Sequence, residues 1–148
     1  KYPKNLFLNT SKIEILTNAH KYDEALILAN TFLEISPKTY PLTLAKSKLL
    51  LEMKRLFESE EVIRDQLIRR NKDPALWLLL SEIQRNSKNI IGYHQSRAEY
   101  FLVLGQNEQA LGQLEFALHL TKNNFQVSDR IMNQIISIKT AIGESRAF

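Results

Sequence analysis

A small side chain recurs at a fixed interval along this chain, and that interval limits the fold more than any other feature. Ala25 lies in Tyr22-Asp23-Glu24-Ala25-Leu26 and Ser59 in Phe57-Glu58-Ser59-Glu60, and 59 − 25 is 34. Tyr93 follows at 93 − 59, again 34, and Ala110 at 110 − 93, which is 17. A period of 34 with a half period inside it fits two helices and two turns per unit. The apolar periodicity agrees, predicting helices over 5–19, 22–35, 40–53, 57–70, 74–87, 90–104, 107–121 and 126–141. Glycine and proline number 4 each among 148 residues, too few for an all-β chain with its frequent turns.

The breaks between helices have physical causes. Pro37 pushes Ser36 out of helical geometry and ends the second helix. Asp73 can cap the free amides of the fifth, where Pro74 suits the first helical position. Gly105 can adopt the left-handed conformation that closes the sixth. Ala25, Ser59 and Ala110, with Ser47 and Ser81, let paired helices approach closely. Phe32, Leu50, Trp77, Leu80, Phe101, Leu114 and Leu118 fill the remaining holes. An apolar face left on each unit is covered by the next. The expected fold is therefore all-α: a tetratricopeptide-repeat, right-handed superhelical solenoid of about eight antiparallel helices. The repeat domain spans 1–141, about four helical pairs, with a C-terminal tail over 142–148. Ala141-Ile142-Gly143 reads as the last helix end, with Phe148 available to dock on that helix. Tyr93 is too large for its position, which predicts a splayed or shifted third unit.

Most catalytic chemistry is excluded by what is missing. There is no cysteine, so thiolate metal sites, disulfides and cysteine nucleophiles are out. His20, His94 and His119 lack the spacing of a metal-binding motif, and their positions fit surface or packing roles. Gly92, Gly105, Gly112 and Gly143 are scattered and form no phosphate-cradling loop. Glu58, Glu60 and Glu61 open a helix, where negative charge offsets the dipole. Arg64, Arg69, Arg70 and Lys72 close the same helix, where cations do so. The net charge of +4 favours acidic partner surfaces without demanding nucleic acid. Nucleic-acid binding is not expected: Tyr93, Tyr100 and Phe101 lie near Arg97, but Tyr100 and Phe101 fall at core positions. No apolar run approaches the roughly 20 residues that span a bilayer, and a first residue of Lys1 reads as a fragment or processed product.

From Asp73 onward a more specific pattern emerges. Asp73-Pro74-Ala75-Leu76-Trp77-Leu78-Leu79-Leu80-Ser81-Glu82 is followed by His94-Gln95 and Ala98-Glu99-Tyr100. Then come Gly105-Gln106-Asn107-Glu108-Gln109-Ala110, Gln113-Leu114-Glu115-Phe116-Ala117-Leu118, Phe125-Gln126 and Asp129-Arg130-Ile131. This order resembles the C-terminal repeat domain of the BepA-type periplasmic zinc metalloproteases of Gram-negative bacteria, over about residues 73–138. The resemblance implies a client-binding, regulatory domain in outer-membrane protein assembly and quality control. It also implies a periplasmic location, and partners among the sister protease domain and the β-barrel assembly components. Zinc is expected in that protease domain; no cofactor and no catalytic residue is expected in this chain. The alternative is a freestanding repeat scaffold or adaptor for a multiprotein complex.

In such a solenoid the first helix of each pair lines the inner surface. Reading the register across gives Thr10, Glu14, Leu44, Lys48, Leu51, Leu78, Glu82 and Arg85 as the partner-binding groove. Apolar anchors beside charges suit a peptide or loop, the anchors supplying affinity and the charges register. The Lys, Asn and Arg set that clamps a C-terminal carboxylate is not formed by Asn9 and Lys48, so an internal segment is the expected ligand.

Overall fold

The computed structural model describes residues 4–146. Among them are eight helices and no strand: α1 (Lys4–Asn18), α2 (Tyr22–Ile35), α3 (Tyr40–Glu52), α4 (Leu56–Arg69), α5 (Pro74–Asn86), α6 (Ile90–Val103), α7 (Asn107–His119) and α8 (Phe125–Arg146). The predicted boundaries hold to within about two residues, except at the end of α8. None of these helices is long and apolar enough to cross a membrane.

The period survives in the backbone itself. α2, α4 and α6 begin at 22, 56 and 90, so 56 − 22 and 90 − 56 are both 34. The turns that precede them repeat as well. His20, Lys54 and Lys88 all have positive φ, at 58°, 60° and 61°, and Gly105 follows half a period later at 73°. Each sits in the same pair of backbone bonds. The amide of Arg55 donates to the Leu50 carbonyl at 2.9 Å, and Lys54 to Leu51 at 3.0 Å. Lys21 donates to Leu16, Asn89 to Gln84 and Gln106 to Phe101 at 2.8–2.9 Å. This left-handed closure satisfies carbonyls that a helix end leaves orphaned, and turns the chain back within three residues. The helices that these turns join therefore pack antiparallel within each unit, with the turns spaced two per 34 residues, which is the tetratricopeptide arrangement.

The opposite ends follow the sequence closely. Asp73 accepts from the Ala75 amide at 3.0 Å, with Pro74 at the first position of α5. Asn89 accepts from the Gly92 amide at 3.0 Å and caps α6. Ser36, at φ −130°, ends α2 before Pro37.

The chain divides between Asn71 and Lys72 into two compact units. The division falls in the exposed polar loop around Arg70, Asn71 and Lys72. In the first unit α1 packs on α2 and α3, α2 on α3, and α3 on α4. Its core gathers Ile13, Ala25, Ala29, Leu42, Ala45 and Leu49. α3 and α4 meet at two buried serines: Ser47 and Ser59 lie 3.0 Å apart, and the Ser59 hydroxyl donates to the Ser47 carbonyl at 2.7 Å. Small hydroxyls let the backbones approach while leaving no buried polar atom unpaired among the described residues.

In the second unit α5 packs on α6, α6 on α7 and α7 on α8. Ala98, Ala110, Leu114, Ala117, Ile131 and Ile135 form its core. The third pair absorbs Tyr93 by shifting register. The buried residues of α6 are Gly92, Ser96 and Ala98, the first two lying one position before Tyr93 and Arg97. Ser96 donates to Gln84 Oε1 at 2.6 Å across the α5–α6 contact, and Tyr93 is left half-exposed.

The expected helix end at Ala141-Ile142-Gly143 is corrected: α8 continues to Arg146. Ile131, Ile135 and Ile138 make a buried stripe that Ile142 extends by packing on the same core. Arg146 Nη2 lies 3.0 Å from Glu108 Oε1 and ties the last turn to the start of α7. A mid-helix glycine costs about 1 kcal/mol; the packing of Ile142 offsets it. The expected docking of Phe148 lies outside the described residues.

Candidate interaction site

α5 turns Leu76, Leu79, Leu80 and Ile83 into the core. That leaves Leu78, Glu82 and Arg85, spaced i, i+4 and i+7, as a single outward stripe. On α6, the register shift at Gly92 and Ser96 brings Tyr93 and Arg97 outward on the side facing α5. Leu78, Ser81, Glu82 and Arg85 then line one cleft of about 160 Å³ with Tyr93 and Arg97. Leu78 remains 43% exposed there, a large apolar side chain beside three charges.

The charges in this cleft have no ion-pair partner among the described residues. Among the described residues the ion pairs are Arg55–Glu58, Arg64–Glu60, Arg69–Asp65 and Arg146–Glu108. Arg85, Arg97 and Glu82 belong to none of them. Arg97 is instead held by aromatic rings, its guanidinium 5.7 Å from the Tyr93 centroid and 5.5 Å from that of Phe101. Such contacts fix the side chain at modest energy and leave its N–H donors available. Tyr93 is braced in turn by an edge contact with His94 at 5.0 Å. The His94 ring stacks on Phe116 at 5.5 Å, and its Nδ1 lies 2.9 Å from Gln113 Oε1.

The three groove residues predicted in the second unit, Leu78, Glu82 and Arg85, thus share one surface. The five in the first unit are spread over α1 and α3. Thr10 is half-buried and its hydroxyl donates to the Leu6 carbonyl at 2.8 Å. Glu14 and Lys48 are exposed, and Leu44 is half-buried. Leu51 is a correction: at 8% exposure it belongs to the core. The reason is that α3 packs against α1, α2 and α4 together, so most of its circumference, Leu51 included, is buried, and Lys48 and Glu52 are left exposed.

The sequence reading missed three features of these surfaces. Tyr93 and Arg97 were not assigned to the groove, although Gly92 and Ser96 mark the shift that exposes them. A cleft of about 350 Å³ in the first unit is lined by Lys38, Thr43, Lys46, Glu61 and Asp65 among others. Another of about 280 Å³ lies between α1 and α2, beside Lys12, Leu16 and Ile27. An outward Ile27, 68% exposed on α2, was the available sign of the latter.

Among the described residues no three His, Asp or Glu side chains converge where a metal ion could sit. The shifted ionisable pair lies at the start of α4. Arg55 donates to Glu58 at 2.8 and 2.6 Å, and this hydrogen-bonded fork holds the Glu58 carboxyl below its ordinary range and raises the Arg55 guanidinium. Both side chains are exposed, so the pair stiffens the first turn of α4 rather than activating a proton.

No family model and no curated protein matches this sequence. Among solved structures, the chain is similar to the type III secretion translocator chaperone SycD of Yersinia enterocolitica. Identity is 14%, with 97% of this chain and 90% of that chain covered, at a TM-score of 0.49.

Proposed function

We propose that this chain is a non-catalytic protein-binding domain whose second unit presents the binding surface. The observation that carries the reading is the α5–α6 cleft, where an exposed Leu78 lies beside arginines that form no ion pair among the described residues. An apolar anchor flanked by unsatisfied charge is the composition of a recognition surface rather than of a solvated helix face. A longer reading rests on the resemblance over residues 73–138, a stretch that contains the whole cleft. In it the chain is the client-binding, regulatory repeat domain of a periplasmic zinc metalloprotease acting in outer-membrane protein quality control. Zinc chemistry then belongs to a separate protease domain.

The test uses the full-length product of the parent reading frame. Stoichiometric zinc and cleavage of an unfolded outer-membrane β-barrel protein are the expected results. Reversing the cleft with Arg85→Glu and Leu78→Asp is expected to slow that cleavage several-fold while leaving hydrolysis of a short peptide unchanged. A metal-free, inactive product overturns the protease assignment and leaves the domain as a freestanding scaffold or adaptor. Equal loss on both substrates overturns the assignment of the cleft to recognition.

A further inference from the structure

Resting on the reading of this chain as a protein-binding domain, we infer that the α5–α6 cleft selects an acidic segment, seating an internal Asp or Glu carboxylate on Arg97 and Arg85 with an adjoining aliphatic side chain against Leu78 and Tyr93. Charge decides the ligand class. The cleft holds two guanidiniums and one carboxylate, so it carries an excess positive charge that no described residue offsets. Arg97 is pre-oriented. Two rings fix its side chain, and none of its donors is spent on a hydrogen bond within the described chain. A planar guanidinium held in this way presents a fork that matches a carboxylate bidentately. Because its rotamer is already restricted, less entropy is lost on binding.

Glu82 gives the site a direction. It lines the same cleft without an ion-pair partner, and it repels a carboxylate placed at its end. The acidic residue therefore sits toward the arginines, with neutral or basic residues beside Glu82. The volume of about 160 Å³ suits one or two side chains, not a folded surface. A segment entering by its side chains also needs no free chain terminus.

The experiment is fluorescence anisotropy of the purified chain with a labelled nonapeptide alternating leucine and glutamate, acetylated and amidated so that no terminal charge remains. The counterpart peptide carries glutamine in place of glutamate. The inference expects the glutamate peptide to bind at least ten-fold more tightly. Arg97→Gln and Arg85→Gln should each weaken it roughly five- to ten-fold and the glutamine peptide hardly at all, since each removes one charge-assisted hydrogen-bonding partner of a carboxylate in a solvent-screened cleft. Leu78→Ala should weaken both peptides, and Glu82→Gln should tighten the glutamate peptide two- to three-fold. Lys139→Gln, on α8 and outside the cleft, is the control and should change nothing. Equal affinity for the two peptides, or a glutamate peptide indifferent to Arg97→Gln, overturns the acidic preference while leaving a protein-binding role standing. Displacement of the bound peptide by oligouridylate with equal loss in both arginine variants overturns it in favour of phosphate recognition. Binding of neither peptide also overturns it, and the proteolysis test of the full-length parent then decides the broader reading separately.

Discussion

Three of the four repeated turns place a non-glycine residue in the left-handed region, and that arrangement has a measurable cost. Lys54 sits at φ 60° and Lys88 at φ 61°, whereas Gly105 supplies φ 73° without a Cβ. A Cβ in that region crowds the following carbonyl and costs about 1–2 kcal/mol. Replacing Lys88 by glycine removes this strain but adds freedom to the unfolded chain, returning about 0.5–1 kcal/mol. The net expectation for Lys54→Gly or Lys88→Gly is stabilisation by about 0.5–1 kcal/mol, from the same balance. The mirror experiment is Gly105→Ala. No atom lies within 4 Å of the position its Cβ would take, so packing contributes nothing and only backbone strain remains. It should destabilise by about 1 kcal/mol. Urea titrations followed by circular dichroism read both changes, and heating should move Tm by a few degrees in opposite directions. Because Lys54 belongs to the first unit and Gly105 to the second, the two variants also report which unit each closure supports. A destabilising Lys88→Gly, or a neutral Gly105→Ala, would refute the claim that left-handed backbone strain is stored at these turns.

Gly92→Ala should destabilise the second unit by about 1 kcal/mol in urea titrations although alanine is the better helix former. Its Cβ would fall 2.5 Å from Asn89 Nδ2 and 2.8 Å from Gln84 Nε2, disturbing both the cap of α6 and the buried bond to Ser96. Ile142→Ala should lower stability by about 1 kcal/mol, measured by the same titration, because the side chain extends the apolar stripe of α8. In acid, the Glu58 contribution should follow its lowered carboxyl pKa. It is present at pH values above the ordinary 4.5 and is lost as pH falls through the depressed folded value. Glu58→Gln should therefore flatten that part of the stability profile, with the difference shrinking in high salt because the pair is exposed.

The helices were legible because each leaves a periodic apolar trace and most ends carry local chemistry. Asp73-Pro74, Ser36-Pro37 and Gly105 behave as their side chains or lack of them dictate. The turns at His20, Lys54 and Lys88 were not legible, since nothing in those side chains favours positive φ. They are held there by the packing of the helices on either side. Site residues divided for a similar reason. Leu78, Glu82 and Arg85 lie on a helix packed mainly against one partner, so register alone places them on a free face. Leu51 has the same spacing relative to Leu44, but its helix is enclosed by three others, and register cannot report how many neighbours a helix has. Tyr93 was correctly read as too large for its position. Its consequence, a one-residue shift that seats Gly92 and Ser96 and turns Arg97 outward, depends on contacts across the pair.

Amide-resolved NMR of the labelled chain, titrated with an unfolded outer-membrane β-barrel protein, tests whether a protein segment engages the second unit through the α5–α6 cleft. The expected result is a set of saturable shifts confined to the neighbourhood of Leu78, Glu82, Arg85, Tyr93 and Arg97. Shifts centred instead on the first unit, or a spectrum unchanged at saturating ligand, contradict it.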